Sequence, residues 1–248
     1  MKISIITATY NSGATIRDTL ESVNSQTHKN IEHIIVDGAS SDDTLEQVVK
    51  YGKRVSKIIS EPDKGIYDAM NKGIKAASGD VIGILNSDDF FSSDDVVETV
   101  VDAFRSNDID ALYGDIKFVD PGDLQKTVRY YSSKIFKPSL FRFGFMPAHP
   151  SFYMKKSEYD KHGYYSLDYK IAADYDLLIR YLYKYRVKSI YLNKDFVTMR
   201  TGGVSTENFK SRVLLNKEIV KACRKYGIKS SMLLLPLKYL YKITELKR

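Results

Sequence analysis

Runs of aliphatic and β-branched residues at 3–8, 31–36, 57–60, 81–85 and 111–113 alternate with stretches at 15–26, 44–50, 66–77 and 92–104. In the first of these stretches Ile16, Leu20 and Val23 recur at helical spacing, and in the third Ile66, Met70 and Ile74 do the same. No other pattern constrains the fold as much. A strand that returns through a crossover helix lies parallel to its predecessor, and the sheet so formed must be covered on both faces. The expected class is α/β, with a mostly parallel, Rossmann-like central sheet flanked by helices. Ser40, Ser41 and Asp42 are offered as N-caps of the second helix and Ser92 and Ser93 of the fourth, while Ser78-Gly79 closes the third.

Open sheets of this kind bind ligands in the crevice at the carboxyl ends of their strands. Those ends read Thr7-Ala8-Thr9-Tyr10-Asn11, Asp37-Gly38, Glu61-Pro62-Asp63-Lys64-Gly65 and Asn86-Ser87-Asp88-Asp89. Three of the four supply a carboxylate. Asp88 and Asp89 stand together at the mouth of a hydrophobic strand, where like charges are usually held by a hard divalent cation. Helix capping is the competing role, but Ser92 and Ser93 are available for it, so metal binding is the preferred reading. Asp94 and Asp95 instead suit a first helical turn. Asp37 can accept hydrogen bonds from a base or a ribose hydroxyl, or it can open the turn at Gly38-Ala39-Ser40.

The later part of the chain is less regular. A hairpin is expected over 115–131 around Pro121-Gly122, a strand within 147–154 that includes His149, and a helix over 172–185 carrying Asp174 and Asp176. A strand at 188–192, a loop at Gly202-Gly203 and a long amphipathic helix over 206–226 complete the reading. Charge divides the chain in the same way: residues 1–112 carry 11 basic and 19 acidic side chains, and residues 113–248 carry 27 and 12. No linker separates the parts. The expected organisation is one domain in two parts, 1–112 and 113–206, followed by basic amphipathic helices (207–248).

Four of these strings have a specific resemblance. Thr7-Ala8-Thr9-Tyr10-Asn11, Asp37-Gly38-Ala39-Ser40-Ser41-Asp42-Asp43-Thr44, Glu61-Pro62-Asp63-Lys64-Gly65-Ile66-Tyr67-Asp68-Ala69-Met70-Asn71 and Leu85-Asn86-Ser87-Asp88-Asp89, in this order, resemble family 2 glycosyltransferases of the GT-A fold. His149-Pro150-Ser151-Phe152, Ala173-Asp174-Tyr175-Asp176 and Gly202-Gly203-Val204-Ser205 extend the likeness to about residue 206. The resemblance implies an inverting transfer of a hexosyl or N-acetylhexosaminyl group from a nucleotide-sugar, in first place a UDP-sugar. The acceptor would be a glycan or a lipid-diphosphate-linked oligosaccharide in cell-surface polysaccharide synthesis.

Residue by residue, the resemblance implies that Thr9 and Asp37 hold the nucleobase and ribose and that Asp68 and Asn71 line the nucleotide pocket. Asn86 and Ser87 belong to the same donor site. Asp88 matches the metal-binding aspartate, with Mn2+ or Mg2+ as cofactor. Asn86 departs from the family pattern, so Asp88 and Asp89 together would carry the metal. Asp174 matches the catalytic base that takes the acceptor's proton; two positions on, Asp176 points elsewhere on the helix and is assigned to its surface or to support of the site. His149 is read as a metal or phosphate ligand or as a packed residue beneath the acceptor, and Lys64, Arg200 and the 202–203 loop as candidate diphosphate contacts.

Other classes are disfavoured. There is no Gly-rich dinucleotide fingerprint or P-loop, and no RNA-binding signature accompanies the positive net charge. The single cysteine, Cys223, cannot form an internal disulfide and reads as core filler, in keeping with a cytoplasmic setting. The apolar start has no signal-peptide pattern, and no run is long enough to span a bilayer. Residues 209–248 hold 11 Lys or Arg against two Glu, interleaved with leucines, a pattern suited to lying on an anionic inner membrane face.

Overall fold

The computed structural model describes residues 1–202 and 209–238. Among the described residues nine strands form one sheet in the order β3-β2-β1-β4-β8-β6-β9-β5, with β7 paired to the outer part of β6. β1 (Ile3–Thr9), β2 (Ile31–Asp37), β3 (Val55–Ser60) and β4 (Val81–Ile84) run parallel. Every residue of β1 and β4 is buried, which explains why their sequences are aliphatic and β-branched with no charged residue: both faces of the sheet are covered. α3 (Ile66–Ala76) lays Ala69, Met70 and Ile74 on one face, against Ile6, Ile34 and Val36. α1 (Ile16–Asn24) and α2 (Thr44–Tyr51) pack Ile16, Leu20 and Val48 with Ile35 on the other, beside α4 (Val96–Ser106). Gly73 makes the α3 contact possible, because a Cβ there would lie 2.3 Å from Ile6 Cγ2.

Beyond β4 the sheet departs from the expected parallel series. The strand begun at Ala111 extends to Asp120 as β6, and antiparallel β8 (Phe152–Lys155) lies between it and β4. Gly83 of β4 admits this neighbour, since a Cβ would meet the Tyr153 ring at 2.3 Å. The expected hairpin is β6 with β7 (Asp123–Tyr131). β9 (Ser189–Arg200) is more than twice its expected length and runs parallel to β6, while the two-residue β5 (Phe90–Phe91), absent from the sequence reading, closes the edge antiparallel to β9. His149 lies on a 3-10 turn (His149–Ser151) that leads into β8. After the short α5 (Lys156–His162), α6 (Ala173–Leu178) continues as a π-helical turn (Ile179–Lys184), and α7 (Phe209–Lys225) packs on the α3 face, where Cys223 is fully buried.

Three terminus readings need correction. The N-cap of α2 is Asp43 rather than Ser40, Ser41 or Asp42, although Asp42 Oδ1 accepts from the Thr44 N–H at 3.0 Å. The N-cap of α4 is Asp95; Ser92 instead bonds Thr198, and Ser93 bonds Asp95. α3 ends at an extended Ala77, and Gly79 serves a close approach, its N–H donating to Ser4 Oγ at 2.9 Å.

Glu32 is the polar tie of this region. Its carboxylate accepts from Lys2 Nζ at 2.8 Å, Ser4 Oγ at 2.6 Å and the Ser78 N–H at 2.8 Å, joining β1, β2 and the turn before β4. Burial alone would raise the Glu32 pKa, but these hydrogen bonds outweigh it and hold the group at about 2, against an ordinary 4.5. A folded value below the unfolded one stabilises the protein above about pH 4.5, and that stabilisation is lost as the pH falls through about 2. Glu32→Gln is expected to cost about 1–2 kcal/mol at neutral pH and to remove this part of the acid dependence. Denaturant unfolding across a pH series measures both, and equal stabilities at pH 7 would refute the assignment.

Candidate active site

The loops after β1, β2 and β3 lock into one platform. The Gly38 N–H donates to the Thr9 carbonyl at 2.9 Å, and Ser40 Oγ accepts from the Asn11 N–H at 2.8 Å. A Cβ on Gly38 would stand 2.6 Å from Asp63 Oδ2. Asn11 and Ala39 take positive φ values of 48° and 62°, so the platform holds two non-glycine residues in the left-handed region. Asp37 is fully buried and accepts from the Ser40 N–H, the Ser40 hydroxyl and, at 2.7 Å, the Ser60 hydroxyl. Its turn-forming role is therefore realised. Thr9 is buried beside it with a hydroxyl that has no hydrogen-bond partner.

The start of α3 forms the next wall. Asp68 accepts from the Lys64 N–H at 3.1 Å and lies 3.7 Å from Lys72 Nζ, while the Lys64 residue is exposed. Asn71 differs from the expected pocket-lining residue. Its amide donates to the Tyr165 carbonyl and accepts from the Tyr165 N–H, both at 2.9 Å, so both ends are occupied within the protein. It clamps the loop on which Tyr165 stacks against Tyr67, 5.6 Å between centroids. The Tyr67 hydroxyl donates to the Ile171 carbonyl and so draws the segment before α6 to the first turn of α3.

At the end of β4, Asn86 Nδ2 donates to Asp89 Oδ2 at 3.1 Å, and Ser87 Oγ lies 2.9 Å from Ser12 Oγ. Asp88 is exposed and Asp89 fully buried. Burial, and next the neighbouring Asp88 charge, push the Asp89 carboxyl well above the usual carboxylate range. Asn86 Oδ1 and Asp89 Oδ1 are both buried without a partner. Thr19 of α1 donates to the Asp89 carbonyl at 2.6 Å. From β9, Arg200 donates to the Asp88 carbonyl and pairs with Asp18, its guanidinium 5.4 Å from the Phe90 ring centroid. Arg200 thus grips the loop that carries Asp88.

The fourth element is the start of α6. Asp174 Oδ1 accepts from the Tyr175 N–H at 2.8 Å, and Oδ2 lies 3.7 Å from His149 Nδ1. Burial raises the Asp174 pKa, and His149 opposes that rise. Burial lowers the pKa of His149, whose Nε2 has no partner. The reading of His149 as a ligand grouped with Asp88 and Asp89 is corrected: among the described residues no three acidic, His or Cys side chains gather as a metal site, and the imidazole faces Asp174. Asp176 is corrected too. It is fully buried, accepting from Lys225 Nζ at 2.9 Å and the Tyr226 hydroxyl at 3.3 Å, and so anchors α7.

Glu218, which the sequence reading passed over, accepts the N–H groups of Lys170, Ile171 and Ala172 at 2.8–2.9 Å and fixes the loop leading to Asp174. Its isolation as the one acid in the α7 sequence was the available signal. Gly203, Val204 and Ser205 lie outside the described residues.

Residues 4–166 match the family model described as Glycosyl transferase family 2. An uncharacterised glycosyltransferase of Mycobacterium tuberculosis is 33% identical over 190 residues, which cover 72% of this chain and 68% of that protein. A PGL/p-HBAD biosynthesis glycosyltransferase of Mycobacterium bovis is 27% identical over 181 residues, covering 71% and 68%. Among solved structures, S. aureus TarS 1-349 in complex with UDP-GlcNAc has a TM-score of 0.69 at 18% identity, covering 98% of this chain and 72% of that one. A mannosyltransferase of Pyrobaculum calidifontis, in complex with GDP-Man and Mn2+, has a TM-score of 0.67 at 15% identity, covering 97% and 69%. The architecture is that of the GT-A glycosyltransferases, as the sequence motifs implied.

Proposed function

The chain belongs to glycosyl transferase family 2 and is a glycosyltransferase; on that premise we propose that it transfers a hexosyl or N-acetylhexosaminyl group, with inversion, from a nucleotide-sugar to a glycan or lipid-diphosphate-linked acceptor. The UDP-sugars are the first donors to consider, and cell-surface polysaccharide synthesis the process. The observation that carries this reading is the partly buried Asp174 carboxylate facing His149, held by Glu218 and Tyr67 next to the first turn of α3. In the proposed reaction Asp174 takes the proton of the acceptor hydroxyl while its oxygen bonds to the anomeric carbon. The bond from that carbon to the nucleoside diphosphate breaks on the opposite face, and the diphosphate leaves with the electron pair.

Donor binding falls to the strand-end platform. Thr9 presents a buried, unpartnered hydroxyl for the nucleoside, and Asp37 would hold the platform's shape and accept from the nucleoside at its edge. Asp68 and Lys64 sit at the rim, and Ser87 continues the wall from β4. Asn71 acts through the loop it clamps.

The oxygens at 86–89 fit a hard cation: the Asp88 side chain is exposed at the strand end, and the buried Asn86 and Asp89 oxygens lack partners. Asp88, supported by Asn86 and Asp89, would hold Mn2+ or Mg2+, which when bound supplies charge neutralisation for the departing diphosphate. No helix among the described residues is long and apolar enough to cross a membrane. We place the enzyme in the cytoplasm, peripheral on the anionic inner face through its basic C-terminal part.

A panel of nucleotide-sugars with Mn2+, scored by nucleoside diphosphate release and by the anomeric configuration of the product, tests the proposal. Release from one donor with an inverted product is expected. Release from none of them, or retention, would overturn it.

A further inference from the structure

Away from the strand ends, a cavity of about 790 Å3 opens between the chain before the 3-10 turn Pro138–Phe143, the end of the π-helical turn and the end of α7. Phe136, Pro138, Tyr183 and Tyr226 line it together with Lys184 and Arg186. Asp174 and Lys184 stand near opposite ends of the continuous helical run 173–184, ten positions and roughly 15 Å apart, so the cavity is separate from the site described for transfer. No acidic residue lines it.

The surrounding surface has the same character. Stretches 134–145, 179–190 and 219–238 hold twelve Lys or Arg and no Asp or Glu, in a chain with 31 acidic residues. Contacts bring the three together: Ser230 Oγ donates to the Arg142 carbonyl at 2.8 Å, and Lys184 Nζ lies 5.8 Å from the Tyr226 ring centroid. Among the described residues, Arg186 has no hydrogen bond or ion pair, and it is exposed at a positive φ of 52°. Exposed Ile135, Tyr185, Met232, Leu233 (88% exposed) and Leu237 lie on these same stretches. Exposed tyrosine and leucine among cations, with no carboxylate against Lys184 or Arg186 among the described residues, is the composition of a surface that meets lipid headgroups. A guanidinium beside aromatic rings also suits a phosphate group at such an interface.

We infer that this face docks on an anionic phospholipid bilayer, with Lys184 and Arg186 receiving a headgroup phosphate at the cavity mouth. The inference rests on the peripheral-membrane part of the proposed function and moves the principal contact from the C-terminal segment alone to a face assembled from three parts of the chain.

Cosedimentation of the full chain with vesicles of equal parts phosphatidylglycerol and phosphatidylcholine, against phosphatidylcholine alone, is the test. The expected result is binding to the anionic vesicles only. The double variant Lys184→Gln, Arg186→Asn should bind roughly thirty-fold more weakly, at about 1 kcal/mol per basic residue, with nucleoside diphosphate release from the donor unchanged. Asn accepts the left-handed backbone at 186, which keeps the variant folded.

Undiminished binding by that variant, lost instead on deleting 229–248, would overturn this inference and leave the membrane reading standing. No binding by the intact chain, with donor turnover present, would overturn both and spare the glycosyl-transfer reading. A dimer in sedimentation that the double variant dissociates would assign the face to a second copy and overturn the bilayer.

Discussion

Replacing Asp174 with Asn is expected to lower turnover by about 10²–10⁴-fold and to leave the affinity for the nucleoside diphosphate within about twofold. The substitution is nearly isosteric, and the Asn carbonyl can still accept the Tyr175 N–H that Asp174 Oδ1 accepts now. What it removes is the proton acceptor. The sign of the pH effect follows from the environment: burial raises the Asp174 pKa while His149 restrains it, so the acid limb of the wild-type rate profile should be displaced upward from that of an ordinary aspartate. Activity rises as Asp174 deprotonates and falls as it is protonated.

Asp176→Asn is the control that separates chemistry from architecture. That carboxylate is buried against Lys225, Tyr226 and Arg180, so its loss should cost about 1.5–3 kcal/mol of stability, the range for hydrogen bonds to a charged group, with the activity of folded molecules retained. Calorimetry with single-turnover transfer measures both. Full transfer by the Asp174 variant, or loss of chemistry without loss of stability in the Asp176 variant, would exchange their roles.

Asp88→Ala should have a comparable effect by a different route, lowering turnover by about 10²–10³-fold, the cost of losing one charge-stabilising contact to the departing group. Asp88 is exposed and its loop is braced from outside by Arg200 through the main chain, so the melting temperature should not move. Two readouts distinguish this from general damage. Nucleoside diphosphate binding, measured by calorimetry, should lose its dependence on Mn2+, and rescue by Asp88→Glu should be partial. An Asp88→Ala enzyme that still binds nucleotide in a Mn2+-dependent way would remove Asp88 from that role.

The parallel strands and their helices were legible because each depends on local chemistry. Ile3 to Ala8 holds three isoleucines and an alanine broken only by the small polar Ser4 and Thr7, the pattern of a strand covered on both faces, and Ile66, Met70 and Ile74 are spaced for one helical face. The strand ends followed from the same periodicity, since a polar residue that closes an apolar strand stands at the crevice. Helix boundaries were less legible. Ser92 and Ser93 have the composition of N-caps, but Thr198 of β9, more than a hundred residues away, engages Ser92 first. β5 was missed for a similar reason, since two residues carry no periodicity and gain strand character only by pairing with β9.

By itself, the amino-acid sequence determined the α/β class, the four parallel strands, the family and the set of carboxylates at the crevice. The family followed from the resemblance of several strings taken in order, and the rest from patterns within a strand, a helix or a turn. Tertiary structure alone decided the insertion of β8 between β4 and β6, the pairing of His149 with Asp174, the burial of Asp176 under α7 and the grip of Arg200 on the Asp88 carbonyl. It also decided that Asn71 holds Tyr165 and that three acid-free stretches share one surface. Each of these joins residues 25 to 112 positions apart. The energy of such a contact depends on which groups the folded backbone places within a few ångströms, and no periodicity along the chain encodes that distance.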